Sequence, residues 1–214
     1  PKDIVGGDFY WATDIDGKTI IVTGDCTGHG VSGTFMSIVG ITLMNQIVKE
    51  QGITDPVIII EQLKAGIHEV LLGTEENINR GGIDLALVVI NRVENQLQYV
   101  GANMPIALLT QDDLIIEKGE KYSLGGLGEV SQEYSVKSIL FEEGDMLYMF
   151  SDGYQDQFGG DENKKFMLRR LRNLILRVYE LPLGEQEKVM NSTIENWMMN
   201  ANQIDDILML GIRL

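Results

Sequence analysis

Residues 18–33 read KTIIVTGDCTGHGVSG. The run Thr19–Thr23 is rich in β-branched side chains, which favour extended backbone. Gly24 and Gly28 allow turns that other residues resist, and Gly30 opens a long apolar stretch of helical character. A strand therefore delivers Asp25 to its end, and a helix starts a few residues later. Free N–H groups at a helix start, beside a carboxylate, make a place for a phosphate. The plainer reading is a glycine-rich turn in which Asp25 or Thr27 caps the helix.

Three other aspartate motifs repeat the device. Asp8 lies in GGDFY (residues 6–10), and Asp152 in FSDG (residues 150–153) ends the apolar run Met146–Phe150. Asp205 and Asp206 in IDDI (residues 204–207) precede the last strand-like run. Singly, each could be a turn, since Asp-Gly at a strand end usually is one. Together they predict carboxylates that meet only on folding, and such a cluster stays ionised only with cations present. Carboxylate and carbonyl oxygens suit hard divalent ions.

The 214 residues suffice for one domain with its own core. A formal charge of −15, from 32 acidic and 17 basic residues, argues against binding a phosphate backbone. The single cysteine, Cys26, forms no internal disulfide, and no Cys/His spacing suggests structural zinc. No apolar run reaches the length of a membrane span, and no signal-peptide pattern opens the chain. No direct membrane contact by this domain is expected, and the location is read as cytoplasmic.

Working outward, residues 4–13 and 18–24 predict a hairpin turning at Asp16-Gly17. Residues 31–49 predict a helix apolar on nearly every face, hence buried. A second helix follows from Asp55 with Pro56 in its first turn, ending near Gly73. Strands are expected at 85–91, 96–100, 107–109, 114–117, 135–141 and 146–150. Helices at about 163–179 and 185–200 and a final strand at 207–213 close the chain. The expected class is α+β: a central β-sandwich of two mostly antiparallel sheets flanked by helix pairs, in α-β-β-α order, as one domain over residues 1–214.

VGGDFYW (5–11), GDCTGHGVSG (24–33), GANMP (101–105), LYMFSDGYQDQFGG (147–160) and DDILMLGI (205–212), in that order, resemble the metal-dependent protein phosphatase 2C superfamily. The branch is the bacterial SpoIIE/RsbU type of serine phosphatase. DGYQDQFGG followed by Lys164-Lys165-Phe166, with GGIDLAL (81–87) upstream, is similar to a subgroup fused to sensor or membrane modules. The family's first strand lies just before VGGD and is missing here. The resemblance thus implies a domain excised from a longer sensor or regulator, such as the cytoplasmic output domain of a membrane-anchored sensor.

The resemblance implies two Mg²⁺ or Mn²⁺ ions held by Asp8, Asp25, the Cys26 backbone carbonyl, Asp152 and Asp205, with Asp25 bridging. Asp205 is favoured over Asp206. Two ions roughly 3.5–4 Å apart can share and activate a water, so no phosphoenzyme is needed. A cysteine phosphatase would want Cys-x5-Arg, and no arginine follows Cys26. Gly153, Asp206, His29 and Arg80 are accessory positions. His29 is either a general acid to the leaving oxygen or a packing residue at the helix start, the latter favoured. Arg80 is a phosphate-holding candidate. Asp84 is read as a strand start rather than a ligand for a third ion.

The substrate expected by resemblance is phosphoserine or phosphothreonine on a bacterial regulatory protein, such as a STAS-type anti-sigma-factor antagonist. A homodimer is expected through the helices after GHG. Two alternatives remain: a non-catalytic partner-binding module of the same fold, or a phosphohydrolase for small molecules. Ser32-Gly33 stands where many relatives have Pro-Ala, and Ala102-Asn103-Met104-Pro105 replaces a histidine-bearing turn. Neither change removes an expected ligand.

Overall fold

The computed structural model describes residues 1–28, 30–72, 82–110, 113–125 and 133–214. The predicted hairpin is present as β1 (Phe9–Ile15) and β2 (Lys18–Cys26). Asp16 and Gly17 both adopt positive φ, 50° and 74°, as a two-residue loop matched to strand twist requires. Next come α1 (Val31–Met44), α2 (Pro56–Leu72), β3 (Ile83–Asn91) and β4 (Gln96–Ala102). They are followed by β5 (Ile106–Leu109), β6 (Leu114–Glu117), β7 (Lys137–Leu140) and β8 (Met146–Phe150). A four-residue α3 (Gly153–Asp156), β9 (Phe158–Gly159), β10 (Lys164–Lys165), α4 (Leu168–Val178), α5 (Leu183–Met198) and β11 (Met209–Arg213) complete the order.

Two antiparallel sheets result, with strand orders β1-β2-β3-β4-β7 and β11-β8-β5-β6. Strands buried on both faces need apolar residues at every position, and the alternation shows where each face goes. On β3, Leu85, Leu87 and Val89 pack under α1 and α2, while Ala86, Val88 and Ile90 face the other sheet. On β8, Leu147 and Met149 meet that inter-sheet core, while Met146, Tyr148 and Phe150 pack under α4 and α5. Three cores thus separate four layers, in the α-β-β-α order expected. Each fully buried Leu or Ile contributes on the order of 1.5–3 kcal/mol.

The first helix departs from the reading made of it. α1 runs on through a π-helical turn, Asn45–Glu50, and the whole stretch Val31–Glu50 is long and apolar enough to cross a membrane by length and composition. It is a core helix on one side: Met36, Met44, Ile47 and Val48 are buried against the five-stranded sheet. On the other side Val31, Phe35 and Ile38 are exposed. An all-round apolar helix carries no periodic signal to say which face is covered. α2 matches its prediction, with Asp55 Oδ1 accepting from the N–H groups of Val57 and Ile58. The helix expected from 163 starts at Leu168, because residues 158–165 form the β9–β10 hairpin instead.

Candidate active site

The site lies where strands of both sheets end. β2 carries Asp25 one residue before its terminus, opposite Asp84 in the β2–β3 register. Asp8 precedes β1. Asp152 follows β8 at the N-cap position of α3, with no side-chain capping bond. Asp205 lies between α5 and β11. A cleft of about 220 Å³ is lined by Asp25, Asp84, Asn103, Met104, Pro105 and Asp152, among others.

Ser151 ties three of these elements together. Its hydroxyl donates to Asp8 Oδ2 at 2.5 Å and accepts from the Leu208 N–H at 3.0 Å. Its own N–H donates to the Leu208 carbonyl. Ser151 was not singled out from the sequence except as a neighbour of Asp152. Its contacts lie 143 and 57 residues away, so no local pattern could announce them.

Asp205 and Asp206 have opposite surroundings. Asp206 is buried, and its two oxygens accept from the N–H groups of Lys2 and Gly7, each at 2.6 Å. A side chain at Gly6 would collide with that carboxylate. Asp205 is exposed, and its Oδ1 accepts from the Asp206 N–H at 2.8 Å. Gly153 is equally constrained: a Cβ there would lie 1.8 Å from the Asp206 carbonyl oxygen. The absent side chain lets the Asp152 turn and the Asp205 segment touch.

The carboxylates act on one another. Burial pushes Asp25 up to about 8, reinforced by Asp8, Asp152, Asp205 and Asp84. Burial also pushes Asp8 up to about 6, against the Ser151 hydrogen bond and with the fields of Asp206, Asp205 and Asp152. Asp152 is raised by burial, then Asp156, Asp205 and Asp84, with Lys165 opposing. Burial and the same carboxylates hold the Cys26 thiol far above its ordinary value, so it stays protonated and unsuited to nucleophilic attack.

Divalent ions would relieve this repulsion, and the donors are hard oxygens suited to Mg²⁺ or Mn²⁺. Among the described residues no three His, Cys, Asp or Glu side chains close into a single-ion cage. The electrostatic coupling and this open spacing agree if main-chain and water oxygens complete the shells, as they commonly do around Mg²⁺. The Cys26 carbonyl is available for that: a Cβ on Gly7 would stand 3.1 Å from it, and glycine leaves the space open.

Asp84, read from the sequence as a strand start, faces the cleft beside Asp25. Its carboxylate accepts from Asn103 Nδ2 at 2.6 Å and from the Ser123 hydroxyl. Asn103 sits at φ 57°, a left-handed conformation asparagine tolerates. Neither partner was predicted, because the pairing depends on sheet register. His29 and Arg80 lie outside the described residues, and His68 is exposed on α2.

This sandwich, with carboxylates of both sheets converging on one cleft, has the fold of the protein phosphatase 2C class, the metal-dependent serine/threonine phosphatases. The chain belongs to the SpoIIE family: the model for "Stage II sporulation protein E (SpoIIE)" matches residues 15–214. The SiaA-PP2C domain of Pseudomonas aeruginosa is 27% identical, with TM-score 0.89 over 100% of this chain and 83% of that one. The phosphatase domain and regulatory fragment of SpoIIE from Bacillus subtilis is 19% identical, with TM-score 0.74 over 99% of this chain and 58% of that one. RsbX, solved in complex with magnesium, is 16% identical, with TM-score 0.65 over 97% of this chain and 87% of that one. No curated protein sequence matches.

Proposed function

We propose that the cleft hydrolyses phosphoserine or phosphothreonine on a bacterial regulatory protein. Two Mg²⁺ or Mn²⁺ ions would be held there, with Asp25 shared. Asp152 and Asp205 would complete one shell, and Asp8 and the Cys26 carbonyl would serve the other. Bound there, the ions lower the pKa of a shared water and neutralise the phosphoryl oxygens. The chain's own part is positioning. Ser151 orients Asp8, Asp206 anchors the segment that presents Asp205, and the walls at Met104 and Pro105 bound the space for a phosphorylated side chain.

The observation that carries this reading is that Asp152 and Asp205, from remote parts of the chain, both raise Asp8 and Asp25 in the buried site. A STAS-type antagonist is the favoured substrate class, supported by a relative described as the RsbU and RsbW domains of one protein. The exposed stripe Val31, Phe35 and Ile38 on α1 favours a homodimer through that helix. A cytoplasmic location fits such a substrate.

Turnover of phosphoprotein, phosphopeptide and nucleotide substrates, with and without Mn²⁺, tests the reading. Metal-dependent release of phosphate from phosphoprotein, lost in Asp152→Ala, is expected. Preference for nucleotides would make the chain a small-molecule phosphohydrolase. No turnover with any substrate would leave a binding module.

A further inference from the structure

Asp205 rides on a stretch between α5 and β11 that lacks regular secondary structure. Asp152 sits between the end of β8 and α3. A site that must hold its groups within about 0.5 Å needs something to fix one against the other. Asp206 fixes the segment toward the chain's start. On the other side stands Gln157, five residues beyond Asp152 and fully buried.

Gln157 Nε2 donates to the Asn202 carbonyl at 2.9 Å and to the Phe158 carbonyl at 3.1 Å. Its Oε1 accepts from the Ile204 N–H at 3.2 Å. The amide thus offers residues 202 and 204 the donor and acceptor that a neighbouring strand's peptide group would offer. Ile204 immediately precedes Asp205. The Gln157 main chain is equally engaged. Its N–H donates to the Gly153 carbonyl, in the Asp152 turn, and its carbonyl accepts from the Phe166 N–H. That carbonyl also accepts from Trp197 Nε1 at 3.1 Å. Trp197 in turn packs edge-on against Phe166. The DQFGG and KKF segments, singled out in the sequence, build this bracket.

We propose that Gln157 is a positioning residue that sets Asp205 against Asp152, and so tunes metal affinity without touching metal or substrate. The inference rests on the metal reading above. Gln186 supplies a matched control in the same fold. It is also buried, its Nε2 donates to the carbonyls of Tyr179 and Leu181, and its Oε1 accepts from the Tyr148 hydroxyl. None of these partners carries a cleft carboxylate.

Mn²⁺ binding is measured by electron paramagnetic resonance of the free ion, independently of turnover, in wild type, Gln157→Met and Gln186→Met. Methionine keeps the length and removes all three side-chain bonds. Gln157→Met is expected to raise the Mn²⁺ dissociation constant about tenfold, with kcat largely restored at saturating Mn²⁺. Gln186→Met should lose comparable stability and keep wild-type affinity. Should Gln157→Met not fold, Trp197→Phe removes the bond to the Gln157 carbonyl, together with part of the ring's contact with Arg170 and Gly160, and is expected to weaken Mn²⁺ binding two- to threefold. Wild-type affinity in the Gln157 variant, or in Trp197→Phe where it stands in, overturns the inference, as does equal weakening in Gln186→Met. No Mn²⁺ binding by wild type overturns the metal reading and this inference with it.

Discussion

The two sides of the cleft are built differently. The β8 side is braced from afar: Ser151 reaches Asp8 and Leu208, Asp206 reaches Lys2 and Gly7, and Gln157 reaches residues 202 and 204. On the β2 side, Thr27 exchanges bonds with Gly82 across one strand pair. Beyond it α1 follows Gly30, whose N-cap position provides no side-chain cap. Thr34 is its described tie to the Asp8 segment, donating to the carbonyls of Gly6 and Gly30. Both sides hold bonds between remote segments; among the described residues, buried side chains of three residues brace the first side, while the second leads into a helix with an uncovered apolar face. The first suits a scaffold for ligands, and the second suits a point where a partner could act on the site.

Removing the carboxylates gives the largest effect. Loss of one charge-stabilising group typically costs a factor of about 10²–10³, and Asp25, if it serves two ions as proposed, should lie at or above the top of that range. Asp25→Ala is expected to bind neither ion well, whereas Asp152→Ala should retain one. Metal stoichiometry by calorimetry separates the two, and equal stoichiometry in both variants would remove the bridging role.

Glycines probe the backbone on each side. Gly153→Ala places a methyl 1.8 Å from the Asp206 carbonyl, and such overpacking costs about 1–3 kcal/mol or more. Gly30→Ala meets its nearest atom at 3.7 Å, and its penalty comes from φ 68°. With ψ at −137° the residue lies outside the left-handed helical region, and a side chain there costs about 1–3 kcal/mol. Urea denaturation should therefore rank Gly153→Ala as the more damaging, and the reverse order would contradict the rigidity assigned to the β8 side.

Much of this comparison was invisible in the sequence for a physical reason. The four aspartate motifs were legible because each is local: a strand, a turn, a carboxylate. The hairpin at Asp16-Gly17 and the helix start at Asp55 were legible for the same reason. The bonds from Asp206 to Lys2 and Gly7 span 204 and 199 residues, and only the assembled sandwich makes them. The pairing of Asp25 with Asp84 depends on register between two strands whose central positions are apolar on both faces, so alternation could not fix it. The β9–β10 hairpin was missed because two-residue strands leave no period.

Next in size is the response to pH. Asp8 and Asp25 titrate near 6 and 8 in the metal-free fold, against an ordinary 3.8. Between about pH 4 and 8 the folded chain therefore binds more protons than the unfolded one, and its stability falls as pH rises. In EDTA the Tm should drop by several degrees from pH 5 to pH 8. Saturating Mn²⁺ should remove the drop, since the ions take the place of the protons. A metal-free Tm that rises over this window would contradict the shared repulsion at the cleft.

The smallest effect on the isolated fold is expected at Phe35, and it bears most directly on the open side. Phe35 is 46% exposed and Val31 83% exposed, four residues apart and so on one face of α1. An exposed aromatic contributes little to the monomer, and Phe35→Asp should change stability by no more than about 0.5 kcal/mol. If that face is the dimer surface, the charge must be buried without a partner on association, and the dimer should be lost. Sedimentation equilibrium would show a concentration-dependent dimer for wild type and a monomer for Phe35→Asp. A dimer that survives the substitution would place the interface elsewhere. Because α1 begins six residues after Asp25, a change in Mn²⁺ affinity between monomer and dimer would then show whether the β2 side of the cleft carries the signal.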